Sequence, residues 1–185
     1  TLGGHHWSAL RTARDAYIAR LNGIYERNLG NRKVDLFRGH AAFVAPNEVR
    51  VGDTLLEAPQ VVIATGGRPS VPAIPGAEHG ITSDGFFELA DRPQRVAVVG
   101  SGYIAVELAG VFAALGSEVT MVLRRDRVLR NFETMLGTGL RKIMEDDGVT
   151  FLDHATPQAL DRDADGTLRL ALQDGRIAGP FDAVL

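Results

Sequence analysis

The chain has 185 residues, of which 45% are hydrophobic and 21 are glycine, a composition typical of a globular α/β protein with many turns. Its formal net charge of −3 argues against a general attraction to nucleic acid or to an anionic membrane. Because it contains no cysteine, disulfides, zinc–thiolate sites and a thiol nucleophile are excluded within this chain.

No segment has the pattern of a signal peptide or of a membrane span, since the apolar runs are only as long as a strand. His40, His79 and His154 have no partners at the spacing of metal ligands, and the two adjacent histidines at residues 5–6 are more typical of a solvated loop than of a ligand fragment, so we expect no metal site. We therefore expect a cytoplasmic protein that binds neither membrane nor nucleic acid.

The first part of the chain predicts one long helix followed by an antiparallel meander of three strands. Apolar residues recur at helical spacing over residues 7–29, which predicts a helix with one apolar stripe. Segments rich in strand formers and separated by turn residues follow this helix. The predicted strands are residues 35–44, 48–51 and 61–64.

A second domain is predicted from residue 91 to residue 185, after a linker rich in Gly and Pro at residues 66–76. Its strands and helices alternate, as in Rossmann-like α/β proteins. The predicted elements are strand 95–99, helix 104–115, strand 118–123, helix 133–146, strand 149–152, and a hairpin of 158–160 with 167–172. Residues 182–185 resemble the opening of a buried strand, so we expect the chain to be an internal piece of a longer protein.

A glycine-rich motif joins the first strand of this second domain to its first helix. Gly100 permits a tight turn, Gly102 lets the backbone approach a pyrophosphate, and the small Ala105 allows the helix to pack closely on the strand. The helix N-terminus offers N–H groups and a partial positive charge to phosphates. The motif predicts a dinucleotide-binding site, against the alternative of a glycine turn in an unrelated α/β unit.

The residues after the second strand of this domain distinguish the two nicotinamide cofactors. An NAD enzyme places Asp or Glu there for the ribose 2′-OH, whereas an NADP enzyme places Arg there for the 2′-phosphate. Residues 124–130 contain four arginines and one aspartate in a chain of negative net charge. This local reversal of charge favours NADP(H), the alternative being a solvated basic loop.

These motifs resemble those of the glutathione-reductase-like, FAD-containing pyridine nucleotide–disulfide oxidoreductases, and the resemblance extends over residues 7–185. It is carried by residues 81–87, 100–110 and 128–132, by residues 64–69, which are similar to a flavin-associated motif, and by residues 38–43, which are similar to an adenine-contacting strand. The resemblance implies that residues 1–90 are the later part of an FAD domain with a linker. Residues 91–185 would then be most of an NADPH domain.

The resemblance also implies roles for the residues that match the NADPH site. Arg124 and Arg130 would hold the 2′-phosphate. Tyr103 would cover the flavin ring when nicotinamide is absent, and Glu107 would lie near the nicotinamide, paired with a Lys that this chain does not contain. The residues that would line the pyrophosphate and ribose are Gly100, Gly102, Ile104 and Ala105.

Further roles are implied for the flavin and for the disulfide substrate. The residues implied near FAD are Ala41, Thr65, Gly66 and Ser83. Those implied near the disulfide substrate are Tyr17, Tyr25 and Asn28. For the two tyrosines, ordinary helix packing is the alternative.

The implied activity of the complete protein is electron transfer from NADPH through FAD and a redox disulfide to glutathione disulfide, in a homodimer. This chain contains neither the family's redox-active cysteines, nor its first dinucleotide motif, nor its His–Glu acid/base couple, so we expect the piece itself to be inactive. One alternative is a non-catalytic NADP-binding module. Another is a related flavoprotein reductase such as dihydrolipoamide dehydrogenase, which should carry an acidic residue at the position of Arg124.

Overall fold

The computed structural model of the chain describes residues 6–185, so residues 1–5 of the first predicted domain lie outside the described residues. The chain divides into two compact units. One unit consists of residues 8–68, and the other consists of residues 69–185 together with His6 and Trp7. In the part of the chain described, no helix is long and apolar enough to cross a membrane.

The unit of residues 8–68 contains a long helix and a small antiparallel sheet, as the sequence predicts. Helix α1 (Trp7–Asn31) belongs to this unit except for its first residue. None of its residues is buried, so the predicted apolar stripe is not packed into a core. The sheet has the order β1-β2-β3. Its strands are β1 (Ala41–Ala45), β2 (Glu48–Val51) and β3 (Thr54–Glu57).

The predicted strands at residues 35–44 and 61–64 are wrong in their positions. Val51 pairs directly with Thr54, so Gly52 and Asp53 form a two-residue turn and the third strand follows at once. Residues 61–64 belong to no strand, and within residues 6–185 no other segment pairs with them. A strand requires a hydrogen-bonded neighbour, and an apolar sequence does not by itself provide one.

The larger unit is built on a four-stranded parallel sheet in the order β10-β4-β5-β6, which gives the Rossmann-like α/β architecture predicted. Its strands are β4 (Arg95–Val99), β5 (Glu118–Val122), β6 (Thr150–Leu152) and β10 (Ala183–Val184). The helices are α2 (Ser83–Glu88), α3 (Tyr103–Ala114) and α4 (Thr134–Asp146). The antiparallel strands are β7 (Pro157–Arg162), β8 (Leu168–Leu172) and β9 (Ile177–Phe181).

Both faces of the parallel sheet are covered, which explains why its strands are continuously apolar. Val96 and Val98 of β4 pack with Phe112 of α3 on one face. Ala97, between them, packs with Leu170 of β8 on the other face, because successive side chains of a strand point to opposite sides. Burial of each large side chain contributes roughly 1.5–3 kcal/mol. The result is a three-layer unit with helices, parallel sheet and antiparallel sheet.

The start of β4 is fixed to the turn that leads into β10. The Arg95 amide donates to Asp182 Oδ2 over 2.8 Å, and its guanidinium donates to Oδ1 over 2.6 Å. The hydrogen bond from the Arg95 side chain is the main cause that lowers the pKa of the Asp182 carboxyl. These bonds fix the register between the two strands.

Candidate dinucleotide-binding site

The glycine motif forms the turn from β4 into α3. Gly100 has φ 132°, a conformation that side-chain-bearing residues rarely adopt, and its amide donates to Val122 O of β5 over 3.1 Å. A Cβ at Gly100 would lie 3.6 Å from the Cβ of Ala105, so the turn and the first turn of α3 are in close contact. The predicted roles of Gly100 and Ala105 in packing therefore correspond to observed contacts.

The N-terminus of α3 is open to the surrounding space. Gly102 is the N-cap residue and no side chain caps the helix. The first amide in this helix with an intrahelical partner is that of Val106, which donates to Gly102 O over 3.1 Å, and the amides before it have none. Nothing lies within 4 Å of a Cβ built on Gly102. The backbone here can accept a close anionic group, which the helix dipole also favours.

The loop that follows β5 lies against the glycine turn. We call residues 124–130 the arginine loop. Its Val128 side chain is fully buried in the core, and its Leu129 amide donates to Ser101 O over 2.7 Å. Sequence positions that are more than 20 residues apart are therefore brought together at the carboxyl edge of β4 and β5. This is the edge where ligands bind in open α/β sheets.

The arginines of the loop differ in what their side chains do. Arg127 is used within the loop, since its guanidinium donates to Thr134 Oγ1 over 2.5 Å and to Arg130 O over 2.9 Å. The side chains of Arg124 and Arg130 are exposed. Across residues 6–185, neither guanidinium makes a side-chain hydrogen bond or an ion pair. The two arginines predicted to bind phosphate are thus available for a ligand.

Arg141 of α4 forms a hydrogen bond with the backbone of the arginine loop. Its guanidinium donates to Asp126 O over 2.7 Å and to both carboxylate oxygens of Asp153 over 2.8 Å. It also donates to Glu145 Oε1 and lies 4.5 Å above the ring of Phe151. The hydrogen bond with Asp153 is the main cause that raises the pKa of Arg141 above its ordinary value. Sequence reasoning missed this residue, because only its Glu145 partner, four residues on, leaves a recognisable pattern.

Helix α3 has one buried and one exposed face. Its buried residues are Ala105, Val106, Leu108, Ala109 and Phe112. Tyr103 and Ile104 are 59% and 43% exposed, and Glu107 is exposed as well. Because Tyr103 and Glu107 are four residues apart, they share the exposed face. Their roles toward flavin and nicotinamide stay predictions.

The residues predicted near FAD and substrate lie in several different elements. Ala41 begins β1, Thr65 and Gly66 are exposed in a segment without regular structure, and Ser83 begins α2 in the other unit. The tyrosines of α1 are largely exposed, and the guanidinium of Arg20 lies 5.0 Å from the ring of Tyr17. Asn28 is exposed on the same helix. Within the described residues, no group of acidic or histidine side chains has the arrangement of a metal site.

A parallel sheet, a glycine turn into a helix and a basic loop after the second strand together define a dinucleotide-binding α/β protein of the Rossmann type. The family model for pyridine nucleotide-disulphide oxidoreductase matches residues 4–185. The chain therefore belongs to the pyridine nucleotide-disulphide oxidoreductases.

Two relatives carry the name glutathione reductase. The protein from Schizosaccharomyces pombe is 46% identical over 182 residues, which is 94% of this chain and 39% of the relative. The protein from Yarrowia lipolytica is 42% identical over 180 residues, which is 91% of this chain and 38% of the relative. This chain thus spans about two fifths of the length of these relatives.

Among solved structures, the chain is similar to the HOCl-induced flavoprotein disulfide reductase RclA from Escherichia coli. The two share 23% sequence identity and superpose with a TM-score of 0.88. The match covers 98% of this chain and 42% of that protein. At this identity the similarity supports the fold, which is the α/β architecture predicted from the sequence.

Proposed function

We propose that this chain supplies the NADPH site of a flavoprotein disulfide reductase that reduces glutathione disulfide. The observation that carries the proposal is the arginine loop, which is bonded to the glycine turn at Ser101 and presents the guanidinium groups of Arg124 and Arg130 with no hydrogen-bond or ion-pair partner among residues 6–185. An acidic residue at position 124 would suit NAD and its free ribose hydroxyl, so Arg124 favours NADPH and argues against a dihydrolipoamide-dehydrogenase-like enzyme.

The residues present fit a dinucleotide in three respects. Open space at Gly102 allows the pyrophosphate to approach the backbone, and the uncapped amides of α3 donate to it. Ile104, which is 43% exposed, continues this surface along the first turn of the helix, whereas Ala105 is buried and allows the helix to pack closely behind it. Two free guanidinium groups supply charge-assisted bonds to a dianionic phosphate. NADPH, when bound, would supply a hydride for transfer to the flavin.

The flavin and substrate parts of the proposal are supported by the family and by the relatives. Residues 1–90 would be part of an FAD domain, with Ala41, Thr65, Gly66 and Ser83 beside the cofactor. Within this range, residues 69–90 pack on the unit of the NADPH site, since the Ile81 amide donates to Val184 O over 2.8 Å. Residues 91–185 would be the NADPH domain.

The exposed face of α3 would meet the flavin, with Tyr103 as the residue that covers its ring and Glu107 beside the nicotinamide. Tyr17, Tyr25 and Asn28 of α1 would lie near glutathione disulfide, a role that the family resemblance implies and that their exposed side chains allow. Thiol–disulfide exchange needs a thiolate, which no residue of this chain can supply. The complete enzyme, which we propose to be a homodimer, would supply it from elsewhere.

The test of the NADPH assignment is removal of both free guanidinium groups. In the intact protein, the double variant Arg124→Gln/Arg130→Gln should weaken NADPH binding by about 2–4 kcal/mol, because each charged hydrogen bond contributes about 1.5–3 kcal/mol before screening. NADH, which has no 2′-phosphate, should bind almost as before. Fluorescence titration of the two cofactors measures both affinities.

The matched control removes two positive charges elsewhere in the same unit. Arg162 and Lys142 are exposed, and the variant Arg162→Gln/Lys142→Gln changes the net charge equally. It should leave both affinities nearly unchanged. Equal loss of NADPH and NADH in the Arg124/Arg130 variant would show that the arginine loop does not bind the 2′-phosphate.

A further inference from the structure

Arg141 joins the arginine loop to the parallel sheet through helix α4. Its side chain is 21% exposed and donates both to the backbone of the loop, at Asp126 O, and to the carboxylate of Asp153, which follows β6. The ring of Phe151 lies beneath its guanidinium. One side chain therefore fixes the loop, the helix and the end of β6 relative to each other.

The second half of the arginine loop is held in place by contacts other than those of Arg141. Gly137 of α4 packs so closely on it that an added Cβ would lie 2.5 Å from Val128 O. Val128 is buried, and the Leu129 amide is bonded to Ser101 O. Residues 124–126 form the first half of the loop. Among the described residues, the bond from Arg141 to Asp126 O is what ties this half to the rest of the unit. Asp126 is two residues from Arg124, so this bond restrains the backbone that carries the Arg124 guanidinium.

We infer that Arg141 is a positioning residue for the recognition of the NADPH 2′-phosphate. Through Asp126 O it holds the arginine loop in the conformation that presents Arg124 and Arg130 to the cofactor. The inference rests on the proposed function, and it assigns Arg141 no contact with NADPH, since the donors of Arg141 are engaged by Asp126, Asp153 and Glu145. Its consequence is that a residue outside the glycine motif and the arginine loop determines cofactor selectivity.

The experiment replaces Arg141 in the intact protein and compares NADPH with NADH. Arg141→Gln should weaken NADPH by about 3- to 30-fold, the range for a residue that acts through an intervening contact. NADH should change by less than about twofold, because a shift of the loop leaves the glycine turn in place. Arg141→Lys keeps the charge but lacks the planar fork that reaches four acceptor oxygens of Asp126, Asp153 and Glu145, so it should show the same loss of selectivity.

The matched control is Lys142→Gln on the same helix, where the ammonium is exposed and pairs with Asp146 over 3.1 Å. It should alter neither affinity. If Arg141→Gln does not fold, Arg141→Lys retains the positive charge, and Asp153→Asn keeps the size of the carboxylate side chain while weakening the bonds that hold Arg141 in place. An equal loss of NADPH and NADH in these variants would overturn the inference, because it would indicate a general structural role.

A double-mutant cycle separates this inference from the proposed function. When Arg141→Gln is added to the Arg124→Gln/Arg130→Gln variant, NADPH affinity should fall no further, because the guanidinium groups that Arg141 positions are already absent. A further independent loss, or unchanged selectivity in Arg141→Gln alone, would overturn the inference only. If Arg124→Gln/Arg130→Gln itself leaves the NADPH preference intact, the proposed function fails and the inference fails with it.

Discussion

The two glycines of the motif have different physical roles. Gly100 has a backbone conformation that requires glycine, whereas Gly102 has φ −76° and ψ 171°, values that any residue adopts. A Cβ on Gly102 would meet open space. The backbone conformation therefore requires glycine at position 100 but not at position 102, and we propose that the close approach of a pyrophosphate is a reason for glycine at the second position.

Alanine at each glycine should separate these roles. Gly100→Ala should lower the free energy of unfolding by about 1–3 kcal/mol, because the backbone must hold a strained conformation. Gly102→Ala should change it by less than about 1 kcal/mol, since a poorer N-cap is offset by lower entropy of the unfolded chain. It should nevertheless weaken NADPH and NADH alike by about 1–3 kcal/mol, because the new methyl group crowds the pyrophosphate that both share.

Urea denaturation and cofactor titration measure these two effects independently. A Gly102→Ala variant with unchanged affinity for both cofactors would mean that the pyrophosphate does not approach the backbone at this point. Gly102→Ala should lower the affinity for both cofactors, whereas replacement of Arg124 and Arg130 should lower the affinity for NADPH alone.

At the residue scale, the sequence predicts those site residues whose side-chain chemistry is matched to the ligand. The arginine loop could be recognised as a candidate site because the end of the second strand has a known function in dinucleotide-binding folds, and the family resemblance singles out Arg124 and Arg130, whose role stays a prediction. Arg127 and Arg141 could not be assigned, because each donates to a backbone carbonyl group. Every residue carries such a carbonyl, so the contact leaves no trace in the sequence.

At the scale of the element, helix α3 has one face that packs into the core and one face that is exposed. Ala105 and Phe112 fill the core, while Tyr103 and Glu107 share the exposed side. An exposed tyrosine at the start of a helix contributes little to stability, and a plain dinucleotide site does not require an aromatic ring there. These positions therefore allow the proposed flavin contact to be tested without disturbing the fold.

Two substitutions test whether this face meets a flavin. In the intact protein, Tyr103→Ala should leave NADPH affinity intact but alter flavin fluorescence in the absence of NADPH, because the ring no longer covers the flavin. Glu107→Gln should slow flavin reduction by NADPH more than it weakens binding, because it changes the charge beside the nicotinamide. Stopped-flow absorbance and steady-state fluorescence measure these effects.

A substitution at Ala114, an exposed residue at the far end of α3, provides the control, and Ala114→Ser should change neither signal. If flavin fluorescence and the reduction rate are both unaffected in the Tyr103 and Glu107 variants, the two residues belong to an ordinary solvated helix surface.

Strands β4, β5 and β6 were predictable because each contains an apolar run and is followed by a helix or a hairpin, and β10 because residues 182–185 resemble the opening of a buried strand. The ends of the predicted helices lie within a residue of those observed for α3 and α4. The third strand of the meander was placed wrongly at residues 61–64 because the apolar run there satisfied the same rule. Pairing partners decide which apolar runs become strands, and periodicity contains no information about partners.

At the scale of the whole molecule, the apolar surface is distributed unevenly between the two units. The larger unit buries two clusters of side chains on the faces of its parallel sheet. In the unit of residues 8–68, many large apolar side chains are exposed, including Val62 at 87% and Ile63 at 70%. Exposed apolar surface of this kind is typical of an interaction surface. The relatives named glutathione reductase are more than twice as long as this chain.

Titration of the unmodified, intact protein with NADPH and with NADH shows whether the arginine loop recognises the 2′-phosphate. The two cofactors differ only in the 2′-phosphate, so the ratio of their affinities measures the contribution of the arginine loop. If Arg124 and Arg130 hold this phosphate, NADPH should bind more tightly by about 30-fold or more, which corresponds to about 2 kcal/mol. Equal affinities, or tighter binding of NADH, would contradict the account.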